Sequence, residues 1–232
     1  MGEELDEETV RGCTLQKKFT CPVCEHEFTE TIIRAPKLRF KSSDEDLHAN
    51  YVPVDPILYD VVICPACSYA AMQNYWAVRL GSVQIEKLKA VRKKLADFPF
   101  VVTHDVAIDK YALALLSAQT KLAKDSEIGY IYAKMAWCAR ISEDADSYQS
   151  YAKRATEYFS EAYISEEFPI CGMDAPTLEF LIGSFLFVIG NYSESMKWVS
   201  KVSVNKEASD RLKQRTSDLR EKLKEKSRET KQ

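Results

Sequence analysis

Two short segments far apart in this chain share one grammar: Cys21-Pro-Val-Cys24 and Cys64-Pro-Ala-Cys67. Thiols two residues apart reach one ion from a single turn, and two such pairs supply four soft ligands for a tetrahedral site. Proline in the second position presets that turn, because its φ is held at about −65° and it has no N–H to place. Sulfur in that number selects zinc, so the spacing predicts a zinc ribbon with Cys21, Cys24, Cys64 and Cys67 as ligands to one structural Zn2+. Four protein ligands leave no position open for a substrate, which makes the ion a folding staple. A thioredoxin-like reading is set aside because no βαβ pattern surrounds either pair. His26, two residues after Cys24, is a possible substitute ligand; we read it instead as a surface histidine beside the metal loop.

Between the two pairs lie 39 residues, Glu25 to Ile63, longer than a minimal ribbon needs. The insert reads as strand, loop, strand. Phe28 to Phe40 is β-leaning, with Thr29, Thr31, Ile32, Ile33 and Leu38. Lys41 to Pro56 is polar and carries the acidic run Asp44-Glu45-Asp46. Ile57 to Ile63 is a short apolar strand that delivers the second pair. Backbone N–H groups following each pair are expected to point at the thiolates and offset their charge.

After Cys67 the apolar pattern takes a helical period. Tyr69, Met72, Trp76 and Leu80 recur at three and four residues, predicting a helix directly out of the second pair. Gly81-Ser82 punctuates it, a basic helix runs on to about Leu95, and Asp97-Phe98-Pro99-Phe100 breaks that helix. From His104 onward amphipathic helices follow one another. Ile108, Tyr111, Ala112, Leu115, Leu116 and Leu122 share one face. Ile128, Ile131, Tyr132, Met135 and Cys138 share the next. Tyr148, Tyr151, Ala152, Ala155, Tyr158, Phe159, Ala162 and Tyr163 form a third stripe. Asp125-Ser126 and Asp174-Ala-Pro-Thr177 are capping sequences, the latter with proline in the first turn.

Leu178 to Gly183, Leu186, Gly190-Asn-Tyr192, Ser195, Val199 and Val202 follow a tetratricopeptide pattern, a small residue in the first helix and a Gly-x-Tyr turn into the second. Ser195 stands where that pattern prefers alanine, and Ala155, Phe159 and Ala162 repeat the second-helix part upstream. Ala208, Leu212, Leu219 and Leu223 then draw a thin apolar seam along a charged helix, the form a terminal cap requires. The fold class expected is α+β, mainly α: a ribbon with short antiparallel strands, then a tetratricopeptide-like helical array closed by a charged helix. The divisions expected are an acidic N-terminal tail over 1–18, the ribbon with its exit helix over 19–80, and a connecting helix and linker over 81–103. The helical domain follows over 104–204 and the charged helix over 205–232.

A family resemblance rests on residues from both halves. Cys21-Pro-Val-Cys24 with Phe28, Leu38-Arg39-Phe40, Asp46, Tyr51, Pro56-Ile-Leu-Tyr59-Asp60 and Val62-Ile-Cys64-Pro-Ala-Cys67-Ser-Tyr69-Ala70 resemble the prokaryotic domain-of-unknown-function family 2225. Tyr111-Ala-Leu-Ala-Leu-Leu116, Ala136-Trp137 with Arg140, and Leu181-Ile-Gly183 extend the likeness into the helices. It spans about Phe19 to Val202. Ser68 departs from that family's usual glycine after the second pair. The resemblance implies a zinc-ribbon front end on tetratricopeptide-like helices and supplies no activity.

The charge balance bears on partners. Net charge is −3, but the ten Lys/Arg and six Asp/Glu from Asn205 onward give +4, leaving −7 for the rest. An acidic body opposes a broad nucleic-acid surface. Local basic clusters remain at Lys17-Lys18, at Arg34, Lys37, Arg39 and Lys41, and over Lys87 to Lys94. Seven cysteines with four committed to a metal point to a reducing compartment, and the first ten residues lack an apolar signal core. The most apolar run, Leu178 to Gly190, is too short to cross a bilayer. A cytoplasmic protein with no membrane contact is expected.

Catalytic chemistry finds no constellation. His26, His48 and His104 are scattered, with no nucleophile elbow or glycine-rich phosphate loop. Cys138 lies in a helical stripe and reads as core, Cys171 sits on a loop, and Cys13 has no assigned role. The expectation is therefore a non-catalytic scaffold whose helical array binds a protein partner. The alternative is a nucleic-acid adaptor using the ribbon and the basic insert around Phe40.

Overall fold

The computed structural model describes residues 5–91 and 97–229. The chain divides into two compact units. One gathers the described residues of Met1–Ser42, Ala49–Ala123 and Trp137–Glu143; the other gathers those of Ser43–His48, Lys124–Ala136 and Asp144–Gln232. Short antiparallel strand pairs occupy the N-terminal part and helices the remainder, as the α+β, mainly α expectation requires.

The first unit opens with α1 (Glu7–Cys13), whose N-terminus is capped by Asp6 accepting from Thr9 N at 2.7 Å. The strand β1 (Thr14–Thr20) pairs antiparallel with β2 (Glu27–Ile33) in a register that sets Phe19 opposite Phe28. The expected tail over 1–18 therefore holds a helix and most of a strand. β1 shows no alternation to read, because only Thr14 and Phe19 are buried along it. Pairing across the ladder, not an apolar face, holds it in place.

Within the insert, β3 (Arg39–Ser43) and β4 (Ala49–Val52) form a hairpin where the sequence predicts one long strand and a loop. A 3-10 turn over Pro56–Tyr59 precedes β5 (Val61–Ile63). That short strand pairs with β6 (Ala70–Met72), Val62 facing Ala71. The helix expected straight out of the second cysteine pair is thus a strand first, followed by the single turn α2 (Gln73–Trp76). Tyr69, Met72 and Trp76 have helical spacing, yet the second pair is closed by a two-stranded ladder, and tertiary pairing overrides the period. The next helix, α3, is described over Ser82–Ala90. The expected run to Leu95, and Lys94 of the basic cluster, lie outside the described residues.

The expected boundary near 103 also shifts. Tyr59 Oη donates to Phe100 O (2.9 Å) and accepts from Val102 N (3.1 Å), which ties the linker to the ribbon. The helix α4 (His104–Thr120) follows it there: Tyr111 Oη donates to Ile57 O at 2.9 Å, and Ser117 Oγ accepts from Ala70 N at 3.1 Å. Asp97-Phe98-Pro99-Phe100 thus lies within a unit and does not end one.

The second unit contains the start of α5 (Asp125–Ile141), then α6 (Ala145–Ser165), α7 (Ala175–Val188), α8 (Tyr192–Val204) and α9 (Asp210–Glu229). Asp174 caps α7 through Thr177 N at 2.9 Å, with Pro176 in the first turn as predicted. Gly190 takes φ +78 in the turn into α8. The apolar seam of α9 is buried at Leu212, Leu219 and Leu223 in one cluster with Phe180, Val199 and Val202.

At the start of α5 the expected Asp125-Ser126 cap is replaced by a distant one. Glu166 accepts from Ser126 N through Oε1 (2.9 Å) and from Ser126 Oγ through Oε2 (2.7 Å). Near it, the Cys171 thiol donates to Ser126 O at 3.2 Å.

Gly183 lies against α8. A Cβ built there would stand 3.4 Å from Val199 Cγ2 and 3.6 Å from Ser195 O. The close approach expected around Gly190-Asn-Tyr192 falls one turn deeper, and Ser195 Oγ donates to Gly183 O at 2.7 Å. Serine in place of alanine is thereby a helix-to-helix tie. Gly129, unremarked in the sequence, is more confined: its Cβ would meet Phe159 Cδ1 at 3.0 Å.

The acidic run belongs to this second unit as well. Asp46 is buried at 3% exposure and accepts from Tyr148 Oη at 2.9 Å. Arg215 donates to the carbonyls of Ser43 (2.6 Å) and Asp44 (2.7 Å), and Lys222 pairs with Glu45. The sequence reads that stretch as a polar loop. Its polarity is matched instead by cations and a phenol spread from residue 148 to residue 222.

Candidate metal centre

Each cysteine pair is a tight turn of the same construction. Glu25 N donates to Cys21 O and Ser68 N to Cys64 O, both at 2.9 Å. Cys21 N donates to His26 O (3.0 Å) and Cys64 N to Tyr69 O (2.8 Å), closing each turn onto its following strand. The residue after each pair, Glu25 or Ser68, takes φ 61. This is the left-handed conformation that favours glycine, so Ser68, the departure noted in the sequence, holds the glycine geometry at a steric cost.

The turns bring the four sulfurs together. Cys21 Sγ lies 3.5 Å from Cys67 Sγ and Cys24 Sγ 3.6 Å from Cys64 Sγ, and all four lie within 4.8 Å of one another. A tetrahedron with metal–sulfur bonds of about 2.3 Å has edges of about 3.8 Å, so the cluster has the size a zinc-like ion requires. The four cysteines can hold a metal ion. Cys21, Cys64 and Cys67 are buried and Cys24 is partly so.

The electrostatics divide the four thiols. Hydrogen bonding from Cys67 holds Cys21 down to about 5, so one thiolate is accommodated readily. Burial pushes Cys64 up to about 11, and the Cys21 sulfur, together with burial, pushes Cys67 up as well. Several thiolates this close are tolerable only with a positive ion among them. The expected N–H support is present but partly inside the pairs: Val23 and Cys24 donate toward Cys21, and Ala66 and Cys67 toward Cys64. Tyr69 N acts from beyond a pair, on Cys67.

An aromatic wall backs the centre. Trp76 meets Phe19 and Phe28 edge-on with centroids 5.7 Å apart, lies 5.2 Å from Tyr69, and donates to Thr20 O at 3.2 Å. His26 is exposed, stacks on Phe28 and lies outside the four-sulfur cluster. His48 is buried in the second unit at 3% exposure, and His104 faces Asp55 at 3.6 Å. Cys138 is buried, and Cys13 is buried at the end of α1. Arg34, Lys37, Arg39 and Lys41 are exposed, with Phe40 among them.

A four-cysteine ribbon joined to a helical array is the class this architecture defines. The chain belongs to a bacterial family described as "Uncharacterized protein conserved in bacteria (DUF2225)", whose model matches residues 14–231. No curated protein and no solved structure matches it. No helix of the described residues is long and apolar enough to cross a membrane.

Proposed function

We propose that the protein is a non-catalytic, zinc-stapled scaffold that binds a protein partner through its helical array. The observation that supports it is the closed sulfur cluster: four thiols within 4.8 Å of one another supply a full tetrahedral set, with no position left for a reacting molecule. Zinc is the ion of choice for four thiolates at a closed, redox-silent site. The ribbon is then a rigid end module, and recognition falls to the helices, whose stacked faces offer the extended surface such arrays use. The cytoplasm, with its reduced thiols, suits such a site.

A second reading has its own observation. β3 is almost wholly exposed, Phe40 is 51% exposed in an edge contact with Tyr51, and Arg39 and Lys41 flank it. Cations interleaved with an aromatic suit a single-stranded nucleic acid. One experiment separates the two. Affinity capture from native lysate is run with and without nuclease, beside RNA and DNA binding over a salt series. The scaffold reading expects a defined protein partner that survives nuclease. The adaptor reading expects affinity that falls steeply with salt and is lost when Arg34, Lys37, Arg39 and Lys41 are all changed to glutamine. That second result would reverse the ranking. Native mass spectrometry should show one zinc per chain, and metal-free protein purified under reducing conditions would overturn the zinc assignment.

A further inference from the structure

The second unit carries an aromatic box on its surface. Tyr163, near the end of α6, meets Phe168 edge-on at 5.6 Å and Trp198 of α8 edge-on at 5.0 Å. The ammonium of Lys201 already rests in it, with Nζ 3.8 Å from the Trp198 ring centroid and 4.6 Å from that of Tyr163. Two rings from two helices thus hold one alkylammonium group, the geometry in which ring quadrupoles attract a cation, and Phe168 braces the Tyr163 ring edge-on beside them.

A buried carboxylate lies behind the box. Glu179 of α7 is 4% exposed, and its Oε1 accepts from Tyr163 Oη at 2.6 Å. Its Oε2 is buried with no hydrogen-bond partner. A buried carboxylate with one hydrogen bond is costly unless positive charge lies close by. Accepting the phenol proton's hydrogen bond also enriches the Tyr163 ring, which strengthens its hold on a cation. Neither feature is needed to pack α6 against α7, where an apolar pair would serve.

Exposed apolar side chains lie close by along the chain. Ile164, next to Tyr163, is 80% exposed, Val204, one turn beyond Lys201, is 81% exposed, and Phe168 is 38% exposed. Cation recognition beside bare aliphatic surface fits a peptide better than a free ion, since the peptide covers that surface while its ammonium enters the box.

We infer that the Tyr163–Phe168–Trp198 box, backed by Glu179, binds a lysine side chain of a protein partner, displacing Lys201. Lys201 is exposed, three residues from Trp198 on one helix, and occupies the box as an internal competitor. This gives the partner's chemistry under the scaffold reading and rests on it for the identity of the ligand as a protein.

The test uses the full zinc-loaded chain, 15N-labelled, with the Trp198 indole signal assigned through Trp198→Phe. Capped Ala-Lys-Ala, its trimethyllysine form and its norleucine form are titrated. Both charged peptides should move the Trp198 signal, and the neutral isostere should not. Lys201→Ala should tighten binding roughly 3- to 30-fold by removing the competitor. Glu179→Gln, checked for an unchanged fold by thermal melting, should weaken it. Equal response to norleucine, or no response even in Lys201→Ala, overturns the box. Binding to phosphatidylcholine vesicles without peptide binding overturns the protein ligand. Capture of a partner that Trp198→Phe and Trp198→Ala leave unchanged also sinks the box, yet leaves the scaffold reading standing. Peptide binding with no captured partner does the reverse.

Discussion

The two units are held together by different means. In the ribbon the buried cluster includes three of the four metal-site cysteines, with Phe19, Ile32, Tyr69 and Trp76 around them. Its strands are three to seven residues long in two-stranded ladders, which alone are marginal in water. Among the described residues the helical unit shows no such cysteine cluster. It relies on fully buried residues such as Phe159, Leu178, Leu181, Ile182 and Val199, set by close helix approach. If the four sulfurs hold a metal, one region is stabilised through a few bonds of high energy and the other through many contacts of low energy. Single substitutions should therefore act all-or-none in the first and by degrees in the second.

The largest effect expected is for Cys64→Ser. Metal binding in such a site is folding free energy, on the order of 10 kcal/mol for structural zinc. The variant should lose its metal and the hydrogen-exchange protection of β1, β2, β5 and β6, while α6 to α9 keep theirs. Protection lost equally across α6 to α9 would end the contrast drawn above. Chelation of the native protein should reproduce the same pattern.

In the helical unit the two interior glycines set a graded comparison. Gly183→Ala adds a methyl at ordinary contact distance and recovers up to roughly 1 kcal/mol of helix propensity, so stability should hold or rise. Gly183→Leu overfills the same place beside Val199 and should cost roughly 1–3 kcal/mol. Gly129→Ala should already lose stability, because its methyl meets Phe159 at 3.0 Å in a space that Leu would fill outright. Melting temperatures order these variants. If Gly129→Ala and Gly183→Ala behave alike, helix approach is not what distinguishes the sites.

A smaller loss, about 1 kcal/mol, is expected for Glu166→Ala, which leaves Ser126 N–H and Oγ at the start of α5 without their acceptor. Asp125→Ala should cost less, since the cap is not drawn from it. Equal losses in denaturant midpoint would return the cap to the local sequence.

What could be read in advance follows the same division. Cysteine spacing is local and chemically exclusive, so the four sulfurs and their turns were legible from two tetrapeptides. Helical stripes were legible as well, because burial at Ala152, Ala155, Phe159 and Ala162 repeats with the helix period. The misreadings share a cause. β1, β6 and α4 take their places through pairing and packing rather than their own periodicity: β1 on β2, β6 on β5, and α4 on the turn that holds Ile57. The partners of the acidic run Asp44-Glu45-Asp46 could not be read either, because Tyr148, Arg215 and Lys222 lie more than a hundred residues on. Gly129 gave no local sign at all, since only the position of Phe159 makes its missing side chain matter. The aromatic box was half visible, Tyr163 within a stripe, but Glu179 read as one polar residue in an apolar helix.

The smallest effect probes the ribbon at the left-handed residue that follows the second cysteine pair. Ser68 and Glu25 occupy equivalent positions after the two cysteine pairs, each at φ 61. A non-glycine residue there pays about 1 kcal/mol for the left-handed conformation. Glycine removes that strain but adds unfolded-chain entropy of roughly 0.5–1 kcal/mol, and at Ser68 it also loses the hydroxyl's bond to Cys67 O. The terms nearly offset each other. Ser68→Gly should thus change ribbon stability by less than about 1 kcal/mol, whereas Ser68→Val, branched at Cβ in the same conformation, should clearly destabilise it. The readout is the rate of zinc transfer to a chromogenic chelator, which follows opening of the ribbon and not of the helices. Faster transfer from Ser68→Gly than from Ser68→Val would show that the serine hydroxyl, not the backbone conformation, governs this turn.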